Sequence, residues 1–449
     1  MSWKKVKLGD VLKQYRIEHR VDDNAIYKQV SILNDGSVVL RGEKNGKEIG
    51  RKRQFIIDTR KYPHTLIFTR QLLLQGSIGI ASDDVHSCIV TENMPMFSID
   101  TSKIDKEFLI LFLKSEVFKS RIREIELSGS AQKSIHERTF LNLEFSLPSF
   151  HLQKEMVVEL VKLKGNLGEI YSELSNQRTL VKKLRQQLLQ DAVQGKLVKQ
   201  NKKDEPASEL LKKIKAEKQK LIAEKKLKKE KELPPIKPEE IPFEIPENWS
   251  WCRLGDLCTK IGSGSTPKGS NYSSMGKPFF RSQNIYDSGL VYEDIKYISD
   301  EVHKQMKGTT VFANDILLNI TGGSMGRCAL VLEDFEEGNV SQHVCIIRPI
   351  LVINKFYHSI ALSPFFQKFV FSSTTGAGRE GLPKYNLEQF LIPIPPLAEQ
   401  NRIVEKLDEL MQHCNELEAS IKQSESQNEK LLQQVLSEAL RKEPILEND

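Results

Sequence analysis

The feature that most constrains this chain is that it is written twice. Trp3-x-Lys5-x-Lys7-Leu8-Gly9-Asp10-Val11 recurs as Trp249-x-Trp251-x-Arg253-Leu254-Gly255-Asp256-Leu257, an offset of 246. Pro148-Ser-Phe150-His-Leu-Gln153 recurs as Pro395-Pro-Leu397-Ala-Glu-Gln400, and Lys183 to Val193 recurs as Lys430 to Leu440, both at offset 247. Three segments that keep their spacing to within one residue imply a tandem duplication of a unit near 200 residues plus a connector. At 449 residues, a single small domain is excluded.

Each copy has a long first part and a helical second part. In the first part, short apolar runs bounded by Gly, Asn, Asp and Ser read as strands: Thr65–Phe68, Leu72–Leu74, Thr310–Phe312, Ile316–Leu318 and Val344–Ile347. Lys106 to Arg123 and Lys355 to Phe371 read as single helices. A Pro-rich turn, Ser146–Pro148 or Ile392–Pro396, is expected to end the first part, because proline cannot continue a strand or enter a helix interior.

The helix that follows has a readable register. Met156, Leu160, Leu163, Leu167, Ile170, Leu174, Gln177, Val181, Leu184, Leu188 and Asp191 alternate steps of four and three, the seam of a coiled coil. Adding 247 gives Ile403, Leu407, Leu410, Cys414, Leu417, Ile421, Ser424, Asn428, Leu431, Val435 and Glu438. The simplest partner for each seam is the other helix of the same chain. From Met156 to Asp191 is 36 residues, about 54 Å at ~1.5 Å per residue, so the second domain starts far from the first and the return helix must run antiparallel. The predicted fold class is α+β: two mixed α/β globular domains separated by long antiparallel coiled-coil helices, a pseudo-twofold tandem repeat. The alternative use of the seams is an intermolecular coiled coil.

Net charge is +6, but its location matters more than its size. From Asn201 to Glu232 there are twelve lysines against seven acids, or +5; the remainder carries 54 basic and 53 acidic residues, or +1. Bulk charge is therefore a weak argument for nucleic acid. The connector, 199–248, reads as a Lys/Glu helix over Ala207 to Glu232 and an extended Pro-rich spacer from Leu233 to Pro246. Its lysines read first as a solvated helix face. With 39% hydrophobic and 28% charged residues the composition is that of a folded soluble protein. No stretch approaches the ~18 apolar residues of a membrane helix, the start lacks a signal-peptide core, and a cytoplasmic location without membrane partners is expected. Six scattered cysteines without a Cys-x-x-Cys pair read as buried small residues, with no metal site.

Catalytic motifs are missing. The Gly-rich stretch Gly322-Gly-Ser-Met-Gly-Arg327 lacks the lysine of a phosphate loop, His-Glu-x-x-His is absent, and Gly262-Ser-Gly-Ser-Thr266 reads as a loop and not a nucleophile elbow. Pro395-Pro396 follows Ile394, so the Asn/Asp-Pro-Pro-aromatic tetrad of adenine methyltransferases is absent. Repetition with this silence favours a binding protein over a catalyst, with no catalytic residue assigned.

The candidate contacts are polar and basic. Arg41 to Arg53 holds six basic and two acidic residues with three glycines and reads as a hairpin tip near phosphate, with Arg51, Lys52 and Arg53 as contacts; an ordinary solvated hairpin is the competing reading. Arg281, Gln283 and Asn284 follow two phenylalanines and have the side chains of major-groove readers. The loops Thr374 to Gly381, with Arg379, and Leu127 to Ser134, with Lys133, precede the helix in each copy and read equally as structural turns.

Together these features resemble the specificity subunit of type I restriction-modification systems. The resemblance rests on the duplicated Trp-x-x-Leu-Gly-Asp entry, the Pro-Pro-Leu397-Ala-Glu-Gln400 helix start, Leu184 to Leu197, Asp204 to Leu211 and Ile241 to Trp249. It implies two target-recognition domains, 1–147 and 249–394, each reading half of a bipartite double-stranded DNA site, and two conserved helices, 148–198 and 395–443. Those helices would dock methyltransferase subunits, two of them expected, and motor-nuclease subunits would join. S-adenosylmethionine, ATP and Mg would then belong to partners and none to this chain. The second domain matches best, through Gly262 to Pro267, Gly322 to Arg327, which adds Arg327 as a contact, and Ser341-Gln-His343. The first lacks Gly-x-Gly-x-Thr-Pro after Gly9-Asp10, and Gln75 to Gly79 is shorter. Two other functions remain open on the residues alone: a coiled-coil scaffold without a DNA role, and a self-contained modification enzyme.

Overall fold

The computed structural model describes residues 3–127, 134–229, 231–373 and 381–440. Backbone proximity divides the chain into two compact units, Met1–Ser175 with Ile421–Asp449, and Asn176–Ser420.

In the first unit the duplicated entry folds as a strand (Lys4–Lys7), one helical turn (Leu8–Val11) and a second strand (Leu12–Tyr15). Leu8 is fully buried, and its N–H donates to Leu143 O at 2.9 Å. The Asp10 carboxylate accepts the Lys7 N–H at 2.7 Å, a reason for acid at that position. Lys4–Lys7 pairs with Glu144–Leu147, just before the long helix Phe150–Val193. The next strand edges an antiparallel sheet in the order Leu12–Tyr15, Met96–Ile99, Thr65–Phe68, Ile78–Ile80. The helices Lys106–Lys114 and Glu116–Leu127 belong to the same core, in which Phe68, Phe97, Phe108, Phe118, Phe140 and Phe145 are fully enclosed. Each such ring contributes about 1.5–3 kcal/mol by burial.

The second unit repeats this frame. Ser250–Arg253 pairs with Leu391–Ile394, and the sheet order is Cys258–Ser263, Val344–Pro349, Ile316–Asn319, Cys328–Leu330. The inserted sheets differ. The first unit carries five strands in the order Glu18–Arg20, Arg53–Ile56, Ile89–Val90, Ile26–Ile32, Val38–Asn45; the second carries four, Lys296–Ile298, Lys277–Phe280, Gly338–Val340, Thr310–Val311. The frame is duplicated and the inserts are not.

The glutamine that ends each helix-start motif is a clamp. Gln153 Nε2 donates to Pro148 O at 2.9 Å and its Oε1 accepts Asp105 N–H at 2.7 Å. Gln400 does the same with Pro395 O at 3.0 Å and Ile353 N–H at 2.9 Å. Both are buried, so each ties a long helix to the start of its domain's own helix pair.

Several expectations change. Lys106 to Arg123 and Lys355 to Phe371 are each two helices, broken at Ser115 and Ser363. Those buried hydroxyls donate to Phe112 O and Ile360 O and accept from Phe118 N and Phe366 N, which stabilises the break. Leu73–Gln75 is a 3₁₀ turn closed by Gly76 at φ 94°, not a strand. The prolines do not exclude a strand, because Pro393 lies in the two-stranded pair opposite Trp251, where a missing donor is tolerated. The connector helix stops at Ala223, and the connector is more than a spacer. Ala207, Leu210 and Ile214 enter the second unit's core, and Arg253, 3% exposed, binds Pro234 O, Pro235 O, Gln389 O and Glu240.

The seam is narrower than the heptad pattern. Leu160, Leu167, Leu174 and Val181, and Leu407, Cys414 and Ile421, are buried every seventh residue. Leu163 and Leu410 are half-buried, whereas Ile170, Leu184, Leu417 and Leu431 are 41–50% exposed. Within the first unit Leu163, Leu432 and Val435 pack against buried Leu160 and Leu111; within the second Arg185 pairs with Glu418 at 3.1 Å and Asn415 at 2.7 Å. The early part of one helix thus meets the late part of the other, as antiparallel pairing requires. All six cysteines are free and buried. Among the described residues no helix is long and apolar enough to cross a membrane.

Candidate nucleic-acid interface

Strand direction decides what gathers at each end of the second unit's frame sheet. Cys258–Ser263 and Ile316–Asn319 both run towards the end at which Val344–Pro349 begins, since Ser263 and Leu318 each pair with Cys345. That end collects Gly262 to Pro267, Thr321 to Arg327 and Ser341 to His343, segments far apart in sequence. Gly264 N–H donates to Val344 O at 3.0 Å, and a Cβ on Gly264 would lie 1.9 Å from Val340 O, so glycine is required for this approach. Phe280 of the inserted sheet brings Arg281–Asn284 alongside, through Ser341 N–H to Phe280 O at 2.9 Å and Asn319 Nδ2 to Ser282 O at 2.9 Å. Gly381 bridges to Thr321.

The surface so formed is polar. Thr321 Oγ1 and His343 Nδ1 lie 2.7 Å apart, and Thr266 Oγ1 donates to Gln342 Oε1 at 2.5 Å. The Arg327 guanidinium stacks 4.7 Å from the ring centre of Tyr286, which holds its planar fork. Gln283 is exposed. Beneath, Asn319 Oδ1, Ser341 Oγ and Arg281 Nε are buried without a partner, three unmet polar atoms at one sheet end. A separate concavity of about 900 Å³ is lined by charges of both signs, Asp300, Asp334, Glu336 and Glu337 with Lys277 and Lys355, and Lys277 pairs with Glu337 at 3.1 Å.

Comparison decides the family: the model of the type I restriction modification DNA specificity domain matches residues 1–177 and again 246–424. The chain belongs to that family. Relatives include the type I restriction enzyme EcoAI specificity subunit of Escherichia coli, 34% identical over 402 residues covering 78% of this chain and 65% of the relative. The match thus spans just under two thirds of that relative's length. The EcoEI specificity subunit of Escherichia coli is 34% identical over 467 residues, 96% of this chain and 74% of the relative. The fold is shared with a solved chain from work on assembly and conformational transition of the type I R-M system (TM-score 0.58, 19% identity, 98% of each chain). It is also shared with the HsdS subunit from Thermoanaerobacter tengcongensis (TM-score 0.51, 18% identity, 98% and 97%).

Among the residues singled out from the sequence of this specificity-domain chain, the structure brings together Arg281, Gln283, Asn284 and Arg327. They are not equivalent. Asn284 is 0% exposed: its Oδ1 accepts Arg281 N–H at 3.1 Å and its Nδ2 donates to Val291 O at 3.0 Å and Glu293 O at 3.1 Å. It shapes the loop and presents nothing to a base. Arg281 donates to Asp294 O at 2.8 Å and is half-buried, which leaves Gln283 as the solvent-facing member. Lys133 and Arg379 lie outside the described residues. In the first unit, Arg41 to Arg53 is not a hairpin tip. Val38–Asn45 is an edge strand, and Gly46 packs so closely that a Cβ would lie 1.8 Å from Asp22 O. Lys52 is spent on Asp23 at 2.5 Å and Gly46 O at 2.7 Å, Arg53 pairs with Glu18, and Arg51 is exposed. Sequence reasoning left Thr266, Tyr286, Thr321, Gln342 and His343 without roles; only the strand pairing juxtaposes them.

Proposed function

We propose that this chain is the sequence-specific DNA-recognition subunit of a type I restriction-modification complex. The observation that carries the proposal is the convergence of three glycine-, hydroxyl- and amide-rich segments with Gln283 and Arg327 at one sheet end. Polar side chains at such an end suit a groove edge, where bases are read by hydrogen bonds and phosphates by arginine. Each domain reads one half of a bipartite site, and the differing inserted sheets on a common frame suit two different half-sites.

The long helices, with exposed Val158, Val161, Leu180 and Leu184, dock methyltransferase subunits, and motor-nuclease subunits join that assembly. The methyltransferase carries S-adenosylmethionine, and ATP and Mg belong to the motor. This chain orients DNA and supplies no catalytic group. The test is to express the chain with its methyltransferase and map the methylated bases. A bipartite motif with two fixed halves is expected; a single contiguous motif, or methylation by the chain alone, overturns the reading.

A further inference from the structure

The first domain lacks the loop motifs of the second, so what it holds at the same sheet end bears on the function proposed above, on which this inference rests. The two ends are equivalent by hydrogen bonding. Arg70 N–H donates to Asn93 O at 3.1 Å as Ile320 N–H donates to His343 O at 3.0 Å, and Ile135 N–H donates to Arg70 O at 3.3 Å as Leu382 N–H donates to Ile320 O at 2.9 Å.

There the guanidiniums of Arg16 and Arg70 converge on a single oxygen, Glu137 Oε1, at 3.0 and 2.5 Å, with Gln14 Nε2 at 3.2 Å. The Glu137 and Arg70 side chains are 11% and 12% exposed, and Arg16 is 45% exposed. Burial pushes the Glu137 carboxyl up, but the Arg70 hydrogen bond, the group's own backbone N–H and the charges of Arg70 and Arg16 together outweigh it and hold the group below the usual carboxylate range. One arginine suffices to neutralise one buried carboxylate, so the second is surplus. Arg70 Nε is also buried without a partner. On the solvent side, Arg16 and Arg53 both stand 6.0 Å from the ring centre of Phe55. Arg53 pairs with Glu18 and feels Glu92, and Arg138 is exposed beside Glu137. With Arg20 opposite Arg53 in register, arginines outnumber the carboxylates Glu137, Glu18 and Glu92 at a sheet end whose counterpart carries the second domain's polar loops.

We propose that Arg16 and Arg70, oriented by Glu137, hold a backbone phosphate of the DNA at this end of the first domain, with the exposed half of Arg16 making the contact. A planar guanidinium with one N–H held by Glu137 can offer its other N–H groups to phosphate oxygens, and its rotamer is set before DNA arrives. The contact positions the duplex and carries no base information.

The test uses the full chain with its methyltransferase, on duplexes with and without the bipartite site, over a salt series. Arg16→Gln is expected to weaken binding to every duplex and to lower the slope of log affinity against log salt by about one, so that a fourfold rise in salt costs the variant about 3.5-fold less affinity than the parent. Arg16→Lys should keep the slope, and the methylated sequence should stay the same. Glu137→Gln, which loosens the same cluster but keeps both cations, should not lower the slope. An unchanged slope in Arg16→Gln, or an equal fall in Glu137→Gln, overturns the proposal and makes the cluster a purely structural ion pair. A parent complex that binds no duplex overturns the functional reading instead.

Discussion

Replacing the motif glutamine of one copy should loosen that copy alone. In Gln400→Leu the side-chain volume is nearly kept, but the Ile353 N–H and the Pro395 carbonyl lose their partner inside the protein. Leaving a buried backbone group unsatisfied costs about 1–3 kcal/mol, so the pair should cost about 2–6 kcal/mol. For a folded unit of 150–250 residues, at about 2–4 °C per kcal/mol, that lowers the unfolding midpoint by roughly 4–24 °C. Peptide-resolved hydrogen exchange reads the effect locally: at ~1.4 kcal/mol per tenfold, amides of Asn354–Leu362 should exchange at least ~30-fold faster while those of Lys106–Lys114 stay unchanged. Gln153→Leu should give the mirror result through Asp105 N–H and Pro148 O. A loss below about 0.5 kcal/mol, or equal loosening of both helix pairs by one variant, would refute the clamp.

Asn284→Ala should destabilise the second unit by about 2–4 kcal/mol, seen in thermal unfolding, because Arg281 N–H and Val291 O lose a partner away from bulk water, whereas the carbonyl of exposed Glu293 can turn to solvent. Gln283→Ala should leave stability unchanged and relax one half-site by ~1–3 kcal/mol in methylation mapping; a uniform loss over both halves would assign it to phosphate. Glu137 titrates lower folded than unfolded, so its contribution is complete above its unfolded value near 4.5 and is lost as pH falls through the folded one. Melts of the parent should therefore steepen with acid in that window, and Glu137→Gln should flatten that part of the curve. If the long helices set the spacing of the half-sites, deleting one heptad from each, Tyr171–Gln177 and Glu418–Ser424, should change the mapped spacer by about three base pairs at ~1.5 Å per residue and leave both half-sites as they were.

The duplication was legible because the repeated residues do the same local job in each copy. Leu8 and Leu254 are buried and donate to Leu143 O and Phe390 O, and Gly9 and Gly255 lie close to Leu141 O and Glu388 O. The seam was legible for its period, but a two-helix contact encloses only every seventh side chain and leaves Leu417 and Ile170 at the margin. The break at Ser115 was hidden because a buried serine cap resembles any helical serine in sequence, whereas that at Ser363 was signalled by Pro364, which opens the next helix. The site was least legible. Thr321 with His343, Thr266 with Gln342 and Arg16 with Glu137 are separated by 22, 76 and 121 residues, and strand order, not local propensity, joins them. Asn284 misled for the opposite reason: its amide suits a base edge or a loop equally, and burial selects the loop.

The apolar face at Leu160 and Leu163 is covered by Leu432 and Val435, made some 270 residues later. At ~5–20 residues per second the ribosome needs about 15–55 s to deliver that cover. The second unit, Asn176–Ser420, ends only 12 residues before Leu432, about 0.6–2.4 s ahead at the same rate, so both units reach completion almost together. For most of that interval the nascent chain shows a leucine stripe with Leu111 of its own domain against Leu160. A folding helper, or a partner helix that reaches the stripe early, would act in that interval.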